Sequence, residues 1–266
     1  KEIFGTCLKK MIRKAVIISI EGTFLKPSEI DILKKEKPWG IILFKRNVQS
    51  EKQLIHLTKK IKQTMKDKKY PILIDEEGGL VSRLSNFLDN SKYNQKYFGN
   101  IYKSDKSIGT KFYKSYINSI SKVLLKTGIN INTAPVLDLL KKNTHKVIGN
   151  RSYSSSPEIV NKLGSLCINF YKANKIATVV KHLPGHGGAD SDSHFKLPKV
   201  NNSFRTLSKS DFKCFKNTSS LFGMTAHVLY TRIDKKNNAT HSKTVIRKII
   251  RQEIGFKGIL ISDDIS

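Results

Sequence analysis

Seven short apolar runs punctuate this chain, at Val16 to Ile20, Gly40 to Phe44, Pro71 to Ile74, Ile129 to Ala134, Ile176 to Val180, Leu221 to Thr225 and Gly258 to Ile261. Each is rich enough in branched residues to be a buried strand of a parallel sheet. Amphipathic helical patterns lie between several of them. Tyr113, Ile117, Ile120 and Leu124 recur at helical spacing and stop at Gly128. Ile159, Leu163, Leu166 and Phe170 do so behind Ser156-Pro157, a cap followed by a first-turn proline. Ser50 and Gln53 offer a capping box for another helix. So many strand–helix repeats predict an α/β fold of the TIM-type (β/α)8 barrel. The open doubly wound sheet is the alternative, but it announces its ligand site with a glycine-rich first turn, and Val16 to Phe24 has none.

At 266 residues and 38% hydrophobic content, the chain 1–266 reads as a single barrel domain, for which about 250 residues are typical. Only seven strands are visible, and the chain stops at Ser266 directly after the last of them. An eight-stranded barrel still needs its final helix, eighth strand and closing helix, so the expectation is an incomplete barrel with unpaired sheet edges, from a fragment or a damaged reading frame. The sequence begins at Lys1 rather than Met, which leaves the N-terminal end, and any export signal, open.

A net charge of +28 would ordinarily suggest nucleic acid or a membrane surface as partner. Here the lysines are not clustered: Lys9, Lys10, Arg13 and Lys14, or Lys66, Lys68 and Lys69, alternate with apolar residues as on solvated helix faces. Neither nucleic acid nor membrane is expected as a partner. No run approaches the roughly 18 apolar residues of a membrane span. Cys7, Cys167 and Cys214, odd in number and widely spaced, form neither a disulfide framework nor a zinc knuckle, and a reducing compartment fits them.

A barrel keeps its chemistry at the C-terminal ends of its strands. Unusual residues stand there in this sequence: Asp75 after the third run, Asp138 after the fourth, Lys181-His182 after the fifth, His227 after the sixth and Asp263 after the seventh. The densest segment, Lys181 to His194, holds three histidines, two aspartates and several turn-forming residues, an expensive composition for a merely structural loop. A metal site is the lesser reading, because Pro184 and Gly185 break any helix that would set His182 and His186 on one face. Proton transfer is the stronger one: Asp192 two residues before His194 can orient the imidazole and stabilise its charged form.

The segment KHLPGHGGADSDSHFKLP resembles the KHFPGHG...DSH...P signature of bacterial glycoside hydrolase family 3 β-N-acetylhexosaminidases. WGIILFKRN at Trp39 to Asn47, IDEEGGLVSRL at Ile74 to Leu84, INTAPVLDL at Ile131 to Leu139 and IGFKGILISDDIS at Ile254 to Ser266 agree in the same order, with further support from IGNRSY and MTAHVLY. The resemblance covers nearly the whole chain. It implies Asp263 as a nucleophile forming a covalent glycosyl-enzyme, His194 as acid/base supported by Asp192, and Asp75, Arg83, Arg151, Lys181 and His182 as the pocket for a terminal sugar. It also implies no cofactor and no metal, a monomer, and cytoplasmic hydrolysis of terminal β-linked N-acetylglucosamine from peptidoglycan fragments.

Retention of configuration needs a carboxylate on one face of the anomeric carbon and a proton donor on the leaving-group side. Asp264 is as charged as Asp263, but adjacent strand residues point in opposite directions, so only one faces the barrel axis. Asp138 and His227 also match family positions and are read as braces, outside the catalytic set. Gly78 and Gly79 are read as packing glycines, and Trp39 as core. Leu80, Asn150 and Gly188-Ala189 depart from the family pattern, which puts substrate affinity in more doubt than reaction type. Two other readings stand beside this one: a family 3 β-glucosidase, against which Asp192 to His194 argue, and an inactive remnant or basic nucleic-acid-binding protein.

Overall fold

The computed structural model describes residues 12–141, 148–188 and 197–265. Seven parallel strands form one sheet in chain order: β1 (Lys14–Ile18), β2 (Pro38–Leu43), β3 (Ile72–Ile74), β4 (Ile131–Asn132), β5 (Ala177–Leu183), β6 (Phe222–Thr225) and β7 (Ile259–Ser262). Each neighbouring pair is in parallel register, for example Ile41 with Ile72, Leu73 with Ile131 and Val179 with Phe222. Helices α1 (Pro27–Glu36), α2 (Glu51–Thr64), α3 (Gln95–Ser104), α4 (Lys106–Lys126), α5 (Pro157–Ala173) and α6 (Phe204–Lys209) join the strands, with a π-helical segment, Val245–Glu253, before β7.

The two-residue period of the strands divides the apolar residues into two sets. Leu73, Ile131, Val179, Phe222 and Met224 pack together on the inner side with Ile17, Trp39, Ile42, Ala177 and Ile261. Their alternates, such as Ile41, Leu43, Ile72, Ile74 and Val180, join the larger core beneath the helices. Trp39 on β2 meets Phe222 on β6 edge-to-face at 5.3 Å although β3, β4 and β5 lie between them in the sheet. That contact is possible only because the sheet curls upon itself. The fold is therefore a TIM-like (β/α) barrel, incomplete in the described residues: β1 pairs with β2 alone and β7 with β6 alone. Both edges are correspondingly more open than the centre, with Val16 41% and Ile259 55% exposed.

Local signals explain the helices. Asp105 caps α4 by accepting from Ile108 N–H at 2.8 Å, and the face of α4 turned inward is that of Tyr113, Ile117, Ile120 and Leu124, as the spacing predicts. Its lysines at 106, 111, 114, 122 and 126 are exposed, in keeping with a solvated basic face. In α5, Ser156 caps and Pro157 opens the helix, but its most buried residues are Val160, Leu163, Cys167 and Tyr171, about one position on from the expected series. Tyr171 draws the helix round, its hydroxyl accepting from Asn132 Nδ2 at 3.0 Å. The Ser50–Gln53 box forms only in half. Ser50 Oγ accepts from Gln53 N–H at 3.2 Å, whereas the Gln53 side chain reaches the N–H of Gln49 and the carbonyls of Thr23 and Asn47. Cys167 and Cys214 are buried free thiols; Cys7 lies outside the described residues. Among the described residues no helix is long and apolar enough to cross a membrane.

One helix reaches through to the barrel rim. Gln95, buried in the first turn of α3, donates from Nε2 to the carbonyls of Val136 and Arg151, both at 2.7 Å, and accepts from Val136 N–H at 2.9 Å. One turn further on, Gly99 lies so close to Tyr153 that any β-carbon would collide with the Tyr153 carbonyl. Gly99→Ala is therefore expected to lower stability by about 1–3 kcal/mol in urea unfolding, the usual range for overpacking.

Candidate active site

Strand periodicity also places the polar residues at the C-terminal ends. Leu73, Ile131, Val179 and Ile261 face inward, and two residues on in the chain stand Asp75, Thr133, Lys181 and Asp263. These side chains continue the inner face into the barrel mouth. Asp75 Oδ1 accepts from Lys181 Nζ at 2.8 Å and from the Thr133 hydroxyl, while Oδ2 pairs with Arg83 Nη2 at 3.4 Å. Burial works to raise the Asp75 pKa, but Lys181, Thr133 and Arg83 outweigh it and hold the carboxyl well below its ordinary range.

Glu77, one further step along the same face, was not among the expected site residues. Its carboxylate takes Lys181 Nζ at 2.6 Å and both Nε and Nη2 of Arg151, at 2.8 and 2.9 Å. Burial opposes ionisation here too, and is overcome by Arg151 and Lys181, so that the pKa falls to about 2. Lys181 is itself buried, which disfavours its charge, yet Asp75 and Glu77 raise its pKa. The residue between them, Glu76, points the other way. It accepts from the Arg83 and Leu84 N–H groups at 2.9 and 3.0 Å, from the Ser82 hydroxyl and from Asn90. Gly78 and Gly79, with φ of +85° and +65°, make the turn of the ribbon formed by Glu76–Gly78 and Val81–Ser82. Glu76 and this turn bring Arg83 back beside Asp75. Leu80 at the tip is 86% exposed.

His182 and His186 gather around Asp138. The Asp138 carboxylate is fully buried, accepts the N–H of His182 at 3.3 Å and of His186 at 2.6 Å, and faces His182 Nδ1 at 2.6 Å. Burial would raise its pKa; the two histidines hold it at about 2. Burial also lowers the pKa of His186, which favours its neutral ring. On the other side of His182, Nε2 lies 4.0 Å from Asp263 Oδ2. His227 braces the end of β7: its Nε2 donates to the Asp264 carbonyl at 2.9 Å, and Nδ1 lies 3.0 Å from the Thr240 hydroxyl. Among the described residues no three His, Cys, Asp or Glu side chains are arranged to hold a metal ion.

The segment after β5 is held at Gly185 and Gly187. The Tyr230 hydroxyl donates to the Gly185 carbonyl, Gly187 packs against the Leu139 carbonyl too closely for a side chain, and Asp211, paired with Lys141 at 2.5 Å, abuts Gly185. Asp192 and His194 lie outside the described residues. Of the expected residues, Asp75, Arg83, Arg151, Lys181, His182 and Asp263 are brought to one rim through this network.

Carboxylates and cations gathered at the C-terminal mouth of a parallel barrel stand where the active sites of such barrels are built. Residues 15–266 match the glycosyl hydrolase family 3 N-terminal domain. The chain is 34% identical over 259 residues to a β-hexosaminidase of Neisseria meningitidis serogroup A, covering 96% of this chain and 70% of that protein. It is 30% identical to β-hexosaminidase A of Pseudoalteromonas piscicida, of whose length it spans 43%. Crystal structures of NagZ from Neisseria gonorrhoeae superpose with TM-scores of 0.87 for the native protein and 0.86 for its complex with N-trifluoroacetyl-D-glucosamine, each at 32% identity. They cover 96% of this chain and 74–75% of theirs. The chain belongs to glycosyl hydrolase family 3, as a glycosidase whose relatives are β-N-acetylhexosaminidases.

The Glu77 network gives a pH test. Its lowered pKa means that the ionised carboxylate stabilises the fold fully above the ordinary glutamate range, and that this contribution is lost as pH falls from about 4.5 through about 2. Glu77→Gln is expected to reduce unfolding free energy at pH 7 by about 3–5 kcal/mol, because Arg151 and Lys181 lose a buried partner. Urea titrations from pH 7 to pH 2 should show a shallower acid loss in the variant.

Proposed function

We propose that the protein is a retaining β-N-acetylhexosaminidase that releases terminal, non-reducing β-linked N-acetylglucosamine. Its substrates in this reading are peptidoglycan fragments, N-acetylglucosamine linked to 1,6-anhydro-N-acetylmuramic acid with or without peptide, recycled in the cytoplasm by a monomer without metal or cofactor. The observation that carries the reading is Asp263 itself: it stands two residues beyond inward-facing Ile261, and its carboxylate lies 4.0 Å from Nε2 of His182, the neighbour of Lys181.

In the first step Asp263 attacks the anomeric carbon while His194, supported by Asp192, protonates the departing oxygen. A covalent glycosyl-enzyme forms and the glycosidic bond breaks. In the second, His194 takes a proton from water, which displaces Asp263 and restores the β configuration. Asp75 accepts hydrogen bonds from sugar hydroxyls, and Arg83, Arg151, Lys181 and His182 complete the pocket. The cations hold Asp75 ionised, so it remains an acceptor throughout.

The purified protein should release the chromophore from a chromogenic N-acetylglucosamine β-glycoside far faster than from the corresponding glucoside, and proton NMR should detect the β anomer as first product. Asp263→Ala should lower kcat by at least about 10³-fold with little change in stability. Unimpaired turnover by that variant would remove the nucleophile assignment, and preference for the glucoside would turn the reading toward a β-glucosidase.

A further inference from the structure

Asp138 is not itself assigned to bond making or breaking, yet its contacts determine what His182 can do. Backbone N–H groups only donate, so Oδ1, which receives those of His182 and His186, is fixed as an acceptor. Oδ2 of the ionised carboxylate accepts as well, and its 2.6 Å contact with His182 Nδ1 therefore requires the proton on Nδ1. In that tautomer Nε2 is the acceptor nitrogen, directed toward the space beside Asp263, 4.0 Å from Oδ2 and too far for a direct hydrogen bond between them.

We infer that Asp138 is a positioning residue for the glycosidase reaction: it fixes the His182 tautomer so that Nε2 accepts a hydrogen bond from a hydroxyl of the sugar bound beside Asp263. The reaction itself rests on the hexosaminidase reading; the tautomer does not. The two backbone donors make the inference sharp. In Asp138→Asn the amide oxygen must stay against the N–H groups of His182 and His186, because an NH2 group there would face two donors. The NH2 group is then directed at Nδ1, which must accept, and the proton moves to Nε2. A residue that served only to fill the core would have no such effect, since asparagine nearly preserves its volume.

Nitrogen-15 NMR of the histidine rings reads this directly. His182, assigned by its loss in His182→Ala, should carry its proton on Nδ1 in the wild-type protein and on Nε2 in Asp138→Asn. For the chromogenic N-acetylglucosaminide, Asp138→Asn should lower kcat/KM by on the order of 10²-fold or more, as expected of a wrong tautomer. In the His182→Ala background the same substitution should cost less than about 3-fold, because a residue acting through another has nothing left to act on. A wild-type proton on Nε2, or equal losses with and without His182, overturns the inference. If Asp138→Asn fails to fold, the wild-type spectrum still decides. If the wild-type protein hydrolyses no N-acetylglucosaminide, the hexosaminidase reading fails while the tautomer measurement still rules on Asp138.

Discussion

The barrel mouth is organised by one buried ammonium. Lys181 stands at the end of β5 and is shared by Asp75 and Glu77, which follow β3, so its ion pairs cross the line of β4. Removing three charges from water costs several kcal/mol each, and such a cluster contributes little more net stability than apolar side chains of the same volume. Its effect is geometric and electrostatic. Asp75, Glu77 and Arg151 are held charged, and with Arg83 in fixed places, before any substrate arrives, which removes reorganisation from the reaction itself.

The order of strands and the ends at which chemistry collects were legible in the sequence, because branched apolar runs and their alternation with helices are direct consequences of burying a parallel sheet on both faces. Strand limits moved by only a few residues: the run Val16 to Ile20 became Lys14–Ile18, and Ile176 to Val180 extended to Leu183. The orientation of α5 was less accessible. Apolar residues lie on more than one side of that helix, and a bond from Asn132 to Tyr171, 39 positions apart, selects the side that packs.

Within the site, the sequence pointed to residues with recognisable chemistry and passed over those that hold them. Glu77 could have been found by parity alone, since it is two residues from Asp75 on the same face. Thr133 follows Ile131 by the same rule. Asp138 was recognised as a brace, but its hold on two backbone N–H groups and one imidazole depends on how the chain bends between His182 and His186. Gln95 carried no signal: a glutamine in a helical first turn resembles any surface residue until its two neighbours are known.

That glutamine makes the outer layer answerable to the centre. Its amide completes the backbone pairing of Val136 and also holds the carbonyl of Arg151. Warming that loosens α3 from the barrel wall would therefore release Arg151 while the strands are still intact. On the proposed role of Arg151 in the sugar pocket, such a protein would lose its grip on a ligand at a lower temperature than it loses its circular dichroism, and the interval between the two would measure how firmly one helix is seated.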